Sequence, residues 1–199
     1  MRGVLFISFL LLLSSCSNTN TNNKQEVKDG LGEAIENAKN SPIVETKLFL
    51  DFRFGMTKKE AEKHVTKLVR EGKFKEDYRG KYFCYFTTKL GLECKIYASP
   101  SYHNGELYKM TYPIESVLVG KEEYAVYDTF KESERFLGFN CYSKKNILDD
   151  WVHTCIKDNL VITFKDSKMI YENAPISKLA KEEENQKKQE EYKKSASEF

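Results

Sequence analysis

The feature that most constrains the fold of this chain is a hydrophobic pattern whose period changes from that of a helix to that of a strand in each half of the chain. Residues 57–71 are predicted to form a helix, because Thr57 and Glu60 make a capping box and an apolar stripe with helical spacing follows. Gly72 ends this helix. From Lys81 onward the apolar residues alternate instead, as they do in a half-buried strand.

Three strands are predicted after this first helix. Turn residues separate them, namely Gly91 and the pair Asn104-Gly105, which is a strong hairpin signal. A helix followed by three strands forms one αβββ unit over residues 47–118. The predicted strands are Lys81–Thr88, Leu92–Ala98 and Leu107–Pro113.

The second half of the chain repeats the order of helix and strands. A helix is predicted over Glu122–Leu137, followed by Gly138. The turn pairs Asp158-Asn159 and Asp166-Ser167 separate the predicted strands. This gives a second αβββ unit over residues 119–175, with the strands Asp150–Lys157, Leu160–Lys165 and Lys168–Glu172.

The predicted fold class is therefore α+β. Two αβββ repeats would form a six-stranded antiparallel sheet with both helices on one face. The other face would carry Tyr85, Tyr97 and Trp151 as a candidate binding face, because exposed aromatic side chains often mark contact surfaces. The alternative interpretation is that these aromatics are core residues or ordinary cross-strand pairs.

The two flanks of the repeats differ in composition. Residues 16–46 are predicted to be a flexible tether with a short helix within Lys24–Ser41, which Pro42 ends. The alternating pattern of Lys47–Phe54 predicts a short strand or an extended lead-in. Pro175 is expected to close the repeats. Residues 176–199 are a charged tail, either a frayed solvated helix or a helix that binds a partner.

The N-terminus predicts export and a lipid anchor. Residues 1–15 have one basic residue, an apolar run too short to span a bilayer and small residues at the exit, as a signal peptide does. The sequence Leu13-Ser14-Ser15-Cys16 resembles the lipobox of bacterial lipoproteins. This resemblance implies cleavage before Cys16 and acylation of that residue. By resemblance to lipoproteins with sorting signals, Ser17 in place of an aspartate implies the outer membrane, and the lack of an acidic cluster near Cys16 implies that the protein faces the periplasm. In a host with one membrane, the anchor implies the cell membrane.

Four further cysteines suggest disulfides, because an even number in an exported protein is typical of disulfide bonding. The favoured pairs are Cys84–Cys94 and Cys141–Cys155, since each joins cysteines close in sequence. Four free buried thiols are the main alternative. A zinc site is disfavoured because no C-x-x-C spacing occurs.

The sequence contains no recognisable catalytic, metal or cofactor motif. His64, His103 and His153 lack metal-ligand spacing, and the pair Asp149-Asp150 is typical of a turn. The net charge of +2 excludes the basic footprint of a nucleic-acid-binding protein. These observations predict a non-enzymatic protein without a cofactor or a metal.

The residues Phe54-Gly55-Met56-Thr57 and the capped helix after them resemble the entry of small outer-membrane lipoproteins. One of these is the smallest lipoprotein of the β-barrel assembly machine. A similar entry opens each repeat of the secreted β-lactamase-inhibitor proteins, and it recurs in Bacteroides-type lipoproteins with two helix-plus-sheet halves. The resemblance implies an envelope protein anchored by lipid. Its predicted role is to bind another envelope protein, and the alternative is to carry a small ligand between the helices and the sheet.

Overall fold

The computed structural model describes residues 30–116 and 122–197. Cys16, the predicted signal peptide and the first part of the predicted tether lie outside the described residues. Within these ranges the chain forms four α-helices and one nine-stranded antiparallel sheet. The α+β class is therefore confirmed, while the predicted number of six strands is wrong. The helices are α1 (Gly30–Lys39), α2 (Lys58–Arg70), α3 (Glu122–Lys131) and α4 (Ala174–Ser197).

The strands follow the helices in two groups. Their spatial order is β1-β2-β3-β5-β9-β8-β7-β6, with β4 also paired to β5. The last strand of each group thus lies at the centre of the sheet, and β1 and β6 form its edges. The strands are β1 (Lys75–Glu76), β2 (Tyr82–Thr87), β3 (Glu93–Tyr97), β4 (Ser99–His103), β5 (Glu106–Ser116), β6 (Asn140–Lys145), β7 (Trp151–Lys157), β8 (Leu160–Lys165) and β9 (Lys168–Asn173).

Strands β3 and β4 pair with β5 in one register as far as Ser101, after which an irregularity shifts the pairing by one residue. Ile96 lies opposite Ile114, and Ser99 lies opposite Thr111. The tight turn that joins β4 to β5 has positive φ at both Asn104 (49°) and Gly105 (83°), so the predicted hairpin turn is confirmed.

The strongest helix prediction is confirmed in detail. The Thr57 side chain accepts a hydrogen bond from the Glu60 amide, and the Glu60 carboxylate accepts one from the Thr57 amide. Gly72 follows the helix with φ of 68°. The preceding Gly55 amide donates to the Leu107 carbonyl at 2.9 Å, which joins the entry of α2 to the start of β5.

Residues 47–54 do not form the predicted strand. Leu50 and Asp51 have positive φ values of 59° and 61°, and the Leu48 amide donates to the Phe52 carbonyl. The segment is therefore a tight hairpin loop, in which a short 3₁₀ turn occupies Phe49–Asp51. Because the loop folds back on itself, both Leu48 and Phe52 are buried. In a straight strand with the same alternation, these two side chains would extend beyond the core.

The helices lie on both sides of the sheet. Residues Ala61 and Leu68 of α2 and Val126 and Phe130 of α3 belong to the main core, which also contains Cys155 of β7. A second cluster joins Ala38 of α1 to the sheet residues Ile156 and Val161 and to Ala174, the first residue of α4. Because Cys155 and Ile156 are consecutive in a strand, they point to opposite faces. The prediction of helices on one face concerned the two repeat helices, and α1, which was predicted as part of the tether, packs on the other face.

Two further boundaries differ from the predictions. Helix α3 ends at Lys131, and a separate 3₁₀ turn occupies Glu134–Phe136. Pro175 does not end the ordered chain, because it lies in the first turn of α4, where its missing N–H costs no hydrogen bond.

Candidate functional site

The first two residues of the predicted binding face lie near one edge of the sheet. Tyr85 is 46% exposed, and the Lys75 ammonium lies 4.9 Å from the centre of its ring. Tyr97 is only 6% exposed. Its hydroxyl donates to Glu115 Oε2 at 3.1 Å and accepts from Arg79 Nη2 at 3.2 Å. Tyr97 is therefore a buried, hydrogen-bonded residue and not part of an open surface.

Trp151 lies elsewhere. It begins β7, near the other edge of the sheet, and alternates with His153 and Cys155, so it points to the face of the main core. Tyr85 and Tyr97 share the opposite face, since Phe83 lies opposite Tyr97 in the pairing of β2 with β3. The structure therefore does not bring the three aromatics together, and the single binding face predicted from them is wrong.

Trp151 instead belongs to an aromatic ladder between β7 and α3. The Trp151 and His153 rings are nearly parallel, at 12° with their centres 6.3 Å apart. His153 in turn stacks on Tyr127 of α3 at 4.1 Å and 10°. Tyr124, one helical turn earlier, tilts against His153 at 5.6 Å. The ladder arises because alternate residues of a strand and residues three apart on a helix each share a face.

Trp151 and Tyr124 stand at the open end of this ladder. They are 51% and 50% exposed, while His153 beneath them is 4% exposed. Together they line a groove of about 600 Å³, which we call the Trp151 groove. Its other lining residues are Glu123, Ser143, Asp149 and Asp150.

Two buried polar atoms in the Trp151 groove have no hydrogen-bond partner among the residues that the structure describes. One is His153 Nε2 and the other is Glu123 Oε2. The other ring nitrogen, His153 Nδ1, lies 2.8 Å from the Ser143 hydroxyl. Burial and the nearby positive charge of Lys131 lower the pKa of His153, so the imidazole is held neutral near pH 7. Because buried polar groups are normally paired, these two atoms are available to a ligand.

Another carboxylate of the groove, that of Asp149, is already paired with a lysine of the protein. Lys145 Nζ lies 2.7 Å from Asp149 Oδ1 and 5.6 Å from the centre of the Trp151 ring. This ammonium therefore covers part of the indole and pairs the turn residue Asp149. The exposed remainder of Trp151 faces the groove beside Glu123 and His153.

Sequence reasoning identified Trp151 as a candidate and considered His153 and the pair Asp149-Asp150 without assigning them to a site, and it missed the other lining residues. Ser143 lies on β6, which was not predicted, and the register places it directly opposite His153. Glu123 and Tyr124 come from α3, whose approach to β7 depends on the tertiary fold. The available signal was the alternation of Trp151, His153 and Cys155, which places the tryptophan and the histidine on the face of a core residue.

The cysteine predictions are half confirmed. Cys141 and Cys155 lie directly opposite each other on β6 and β7 and form a disulfide. The predicted Cys84–Cys94 disulfide is not present, because both cysteines are free and buried. The register explains the difference, since Cys84 lies opposite Ile96 and Cys94 opposite Phe86. Proximity in sequence did not make Cys84 and Cys94 direct partners across the strands.

A second candidate site lies between the hairpin loop 47–54 and the helices. Two cavities, of about 310 Å³ and 200 Å³, share Phe49 and Arg135 in their linings. The Phe49 ring contacts Phe86, Tyr112 and Phe130. We call these two cavities together the Phe49 cleft. Within the described ranges, no cluster of three or more metal-ligating side chains occurs, and no helix is long and apolar enough to cross a membrane.

No protein-family model matches this chain, and comparisons with curated proteins and with solved structures found no similar protein. The resemblance of residues 54–61 to the entry of small outer-membrane lipoproteins therefore stays a prediction from sequence. What the site can do must be argued from its own chemistry.

Proposed function

We propose that this protein is a lipid-anchored envelope protein that binds another envelope protein through the Trp151 groove, without catalysing a reaction. Acylation of Cys16 would hold it at the outer membrane, facing the periplasm, or at the cell membrane of a host with one membrane. The observation that carries the proposal is the pair of exposed aromatics, Trp151 and Tyr124, above two buried polar atoms that lack a partner.

The chemistry of the groove is that of a recognition surface. Exposed tryptophan and tyrosine residues supply much of the binding energy in protein interfaces, because they bury a large area and lose few rotamers. Glu123 Oε2 and His153 Nε2 would add orientation-dependent hydrogen bonds once a partner excluded water. The ladder beneath Trp151 holds the indole in place before binding.

We further propose that the two halves of the chain are repeats of one unit, larger than the predicted αβββ. Each half would comprise a helix and four strands, if β3 and β4 are counted as one. The first half would be α2 with β1, β2, β3–β4 and β5, and the second half would be α3 with β6–β9. The order of the sheet supports this, because each half adds its strands outward from the central pair β5 and β9. Tandem repeats would also fit the resemblance to lipoproteins with two helix-plus-sheet halves.

The test is crosslinking of the tagged full-length protein in its native host, with mass spectrometry of the captured proteins. Trp151→Ala is expected to lose the partner. Tyr85→Ala is the matched control, because Tyr85 is similarly exposed but lies on the opposite face. A partner captured equally by both variants would refute the role of the groove. Capture of no partner by the unaltered protein would refute the proposed function.

A second function is favoured by the Phe49 cleft. Its cavities lie between the helices, a hairpin loop and the sheet, and aromatic and aliphatic side chains form most of their walls. Pockets of this kind typically hold small apolar ligands. A small-ligand carrier is therefore the alternative function, and binding of any apolar ligand at this cleft would support it.

A further inference from the structure

The Phe49 cleft combines an apolar interior with one cation, Arg135, that has no ion pair among the described residues. The larger cavity is walled by Phe49, Leu68, Phe86 and Phe130, with Arg135 at its rim. The smaller cavity is also lined by Phe49 and by the same arginine. A molecule in either cavity would thus contact hydrocarbon along its length and a guanidinium at one end.

The other charges around the cleft are already paired. Asp51 binds Lys47 at 3.1 Å, and Lys73 binds Glu71 at 2.8 Å. Glu45, at the rim of the smaller cavity, lies 3.5 Å from Lys157. Among the residues that the structure describes, these pairs leave Arg135 as the lining cation without a hydrogen bond or an ion pair.

The charge of Arg135 reaches two buried phenols, those of Tyr171, which lines the smaller cavity, and of Tyr112, which packs against Phe49. Burial raises the pKa of Tyr112 and Tyr171, and the positive charge of Arg135 partly offsets this rise in both phenols. The same charge helps to lower the pKa of Asp51, although the hydrogen bond from Lys47 is the largest cause there. The guanidinium is therefore close enough to the interior to favour a negative charge at the mouth of the cleft.

We propose that the Phe49 cleft binds a small amphiphile with one alkyl chain and one anionic headgroup, such as a carboxylate. The chain would occupy the apolar cavity, and the headgroup would accept hydrogen bonds from Arg135. Guanidinium groups bind carboxylates through two parallel hydrogen bonds, which makes arginine more suitable than lysine for this role. A volume of about 310 Å³ lies at the small end of ligand pockets and suits a single short chain.

This inference rests on the alternative function proposed above, that of a small-ligand carrier, and assigns the chemical class of its ligand. It does not depend on the partner expected at the Trp151 groove. The test uses the full chain with Cys16→Ser, so that lipid attached at that residue does not compete. Isothermal titration calorimetry would measure binding of dodecanoate and of 1-dodecanol, which share a chain and differ in the charge of the headgroup.

Dodecanoate is expected to bind more tightly than 1-dodecanol. Arg135→Ala should weaken dodecanoate about tenfold or more and leave 1-dodecanol within about twofold, since a charge-assisted hydrogen bond is lost in one case only. Arg135→Lys should give an intermediate loss. Arg70→Ala is the matched control, because Arg70 is exposed on α2 outside the lining of both cavities and should not affect either ligand.

A second variant tests the place of binding. Ser133 lines the larger cavity, so Ser133→Leu should fill part of it and weaken both ligands. Dodecanoate binding that survives both Arg135→Ala and Ser133→Leu would overturn the assignment of the cleft. Equal binding of the two ligands, unchanged by Arg135→Ala, would overturn the anionic headgroup while keeping the carrier function. No binding of either ligand to the folded protein would overturn both.

Discussion

At the scale of single residues, Asn159 contributes most to joining distant parts of the chain. It is fully buried in the turn between β7 and β8, where Asp158 has φ of 49°. Its Oδ1 accepts from the amides of Val44 and Glu45 at 2.9 and 2.8 Å, and its Nδ2 donates to the Glu45 carbonyl at 2.9 Å. The sequence predicted a turn at this residue. It could not predict the docking of a segment more than one hundred residues earlier, because nothing local signals it.

Asn159→Ala is expected to lower the free energy of unfolding by about 2 to 3 kcal/mol, because three part-buried backbone groups would lose their hydrogen bonds to a fully buried side chain. Urea denaturation would measure it. Asn146→Ala is the matched control, since Asn146 Oδ1 also accepts from two amides but in an exposed loop, where water can replace it. Its expected cost is below about 1 kcal/mol. Equal losses in the two variants would contradict the importance of burial.

His153 gives the fold a dependence on pH. The pKa of His153 is lowered in the folded protein by burial and by Lys131, so the unfolded chain binds the proton more tightly. The contribution of the neutral imidazole is complete above the ordinary pKa of about 6.5 and is lost as the pH falls below that value.

His153→Phe keeps a ring between Trp151 and Tyr127 but cannot take up a proton. Between pH 7.5 and pH 5.5, the unaltered protein is expected to lose more unfolding free energy than this variant does. Urea denaturation at the two pH values would measure the difference. Equal losses of unfolding free energy in the two proteins would show that the protonation of His153 does not change on unfolding.

At the scale of elements, prediction succeeded where the signals are local. The capping box of α2 and the Asn104-Gly105 turn are decided by neighbouring residues. Strand β6 was missed because it is an edge strand with little apolar alternation, and its pairing with β7 is a tertiary contact. The loop 47–54 was mistaken for a strand, because its alternation reflects burial on one side and does not reveal the turn at Leu50 and Asp51.

Thr57→Ala tests the start of α2. It is expected to destabilise the protein by about 1 kcal/mol, because the Glu60 amide loses its capping partner. Thr66→Ala on the same helix is the control: the Thr66 hydroxyl donates only to the Glu62 carbonyl, so its replacement should be neutral or slightly stabilising. Urea denaturation of both variants is the measurement. A smaller effect at Thr57 than at Thr66 would contradict the cap.

At the scale of the whole molecule, the sheet is the common layer, with α2 and α3 contributing to the main core and α1 packed on the other face. The sequence predicted the class and the order of most elements. It could not predict the site as it stands, because Glu123, Ser143 and Trp151 come from one helix and two strands, and only packing brings them together. The sequence also grouped Tyr85, Tyr97 and Trp151, but Trp151 lies on the face opposite to the two tyrosines, because the packing of the strands decides which face each residue occupies.

The two pairs of cysteines are expected to behave differently in the folded protein. Peptide mapping without reductant should find Cys141 linked to Cys155. Cys84 and Cys94 should react with iodoacetamide only after unfolding, because both are buried and burial raises the pKa of Cys84 to about 11. Rapid alkylation of either thiol under native conditions, or a linked Cys84–Cys94 peptide, would contradict this arrangement.

The anchor is tested on the intact cell. Cys16→Ser is expected to abolish labelling of the protein with a fatty-acid analogue and to release it from the membrane fraction, because the thiol that would carry the lipid is gone. Cys84→Ser serves as the control for loss of a cysteine elsewhere. A Cys16→Ser protein that is still acylated would refute the proposed site of attachment.

The disulfide at the edge of the sheet has a consequence for recognition. Cys141 and Cys155 join β6 to β7, the two strands that supply Ser143, Trp151 and His153 to the groove. An edge strand held only by hydrogen bonds can detach for short times. The covalent link keeps these side chains in register during such openings, so the proposed partner would meet a preorganised surface. The loss of conformational entropy that orders the groove would then occur when the protein folds, so that little of this loss would oppose binding.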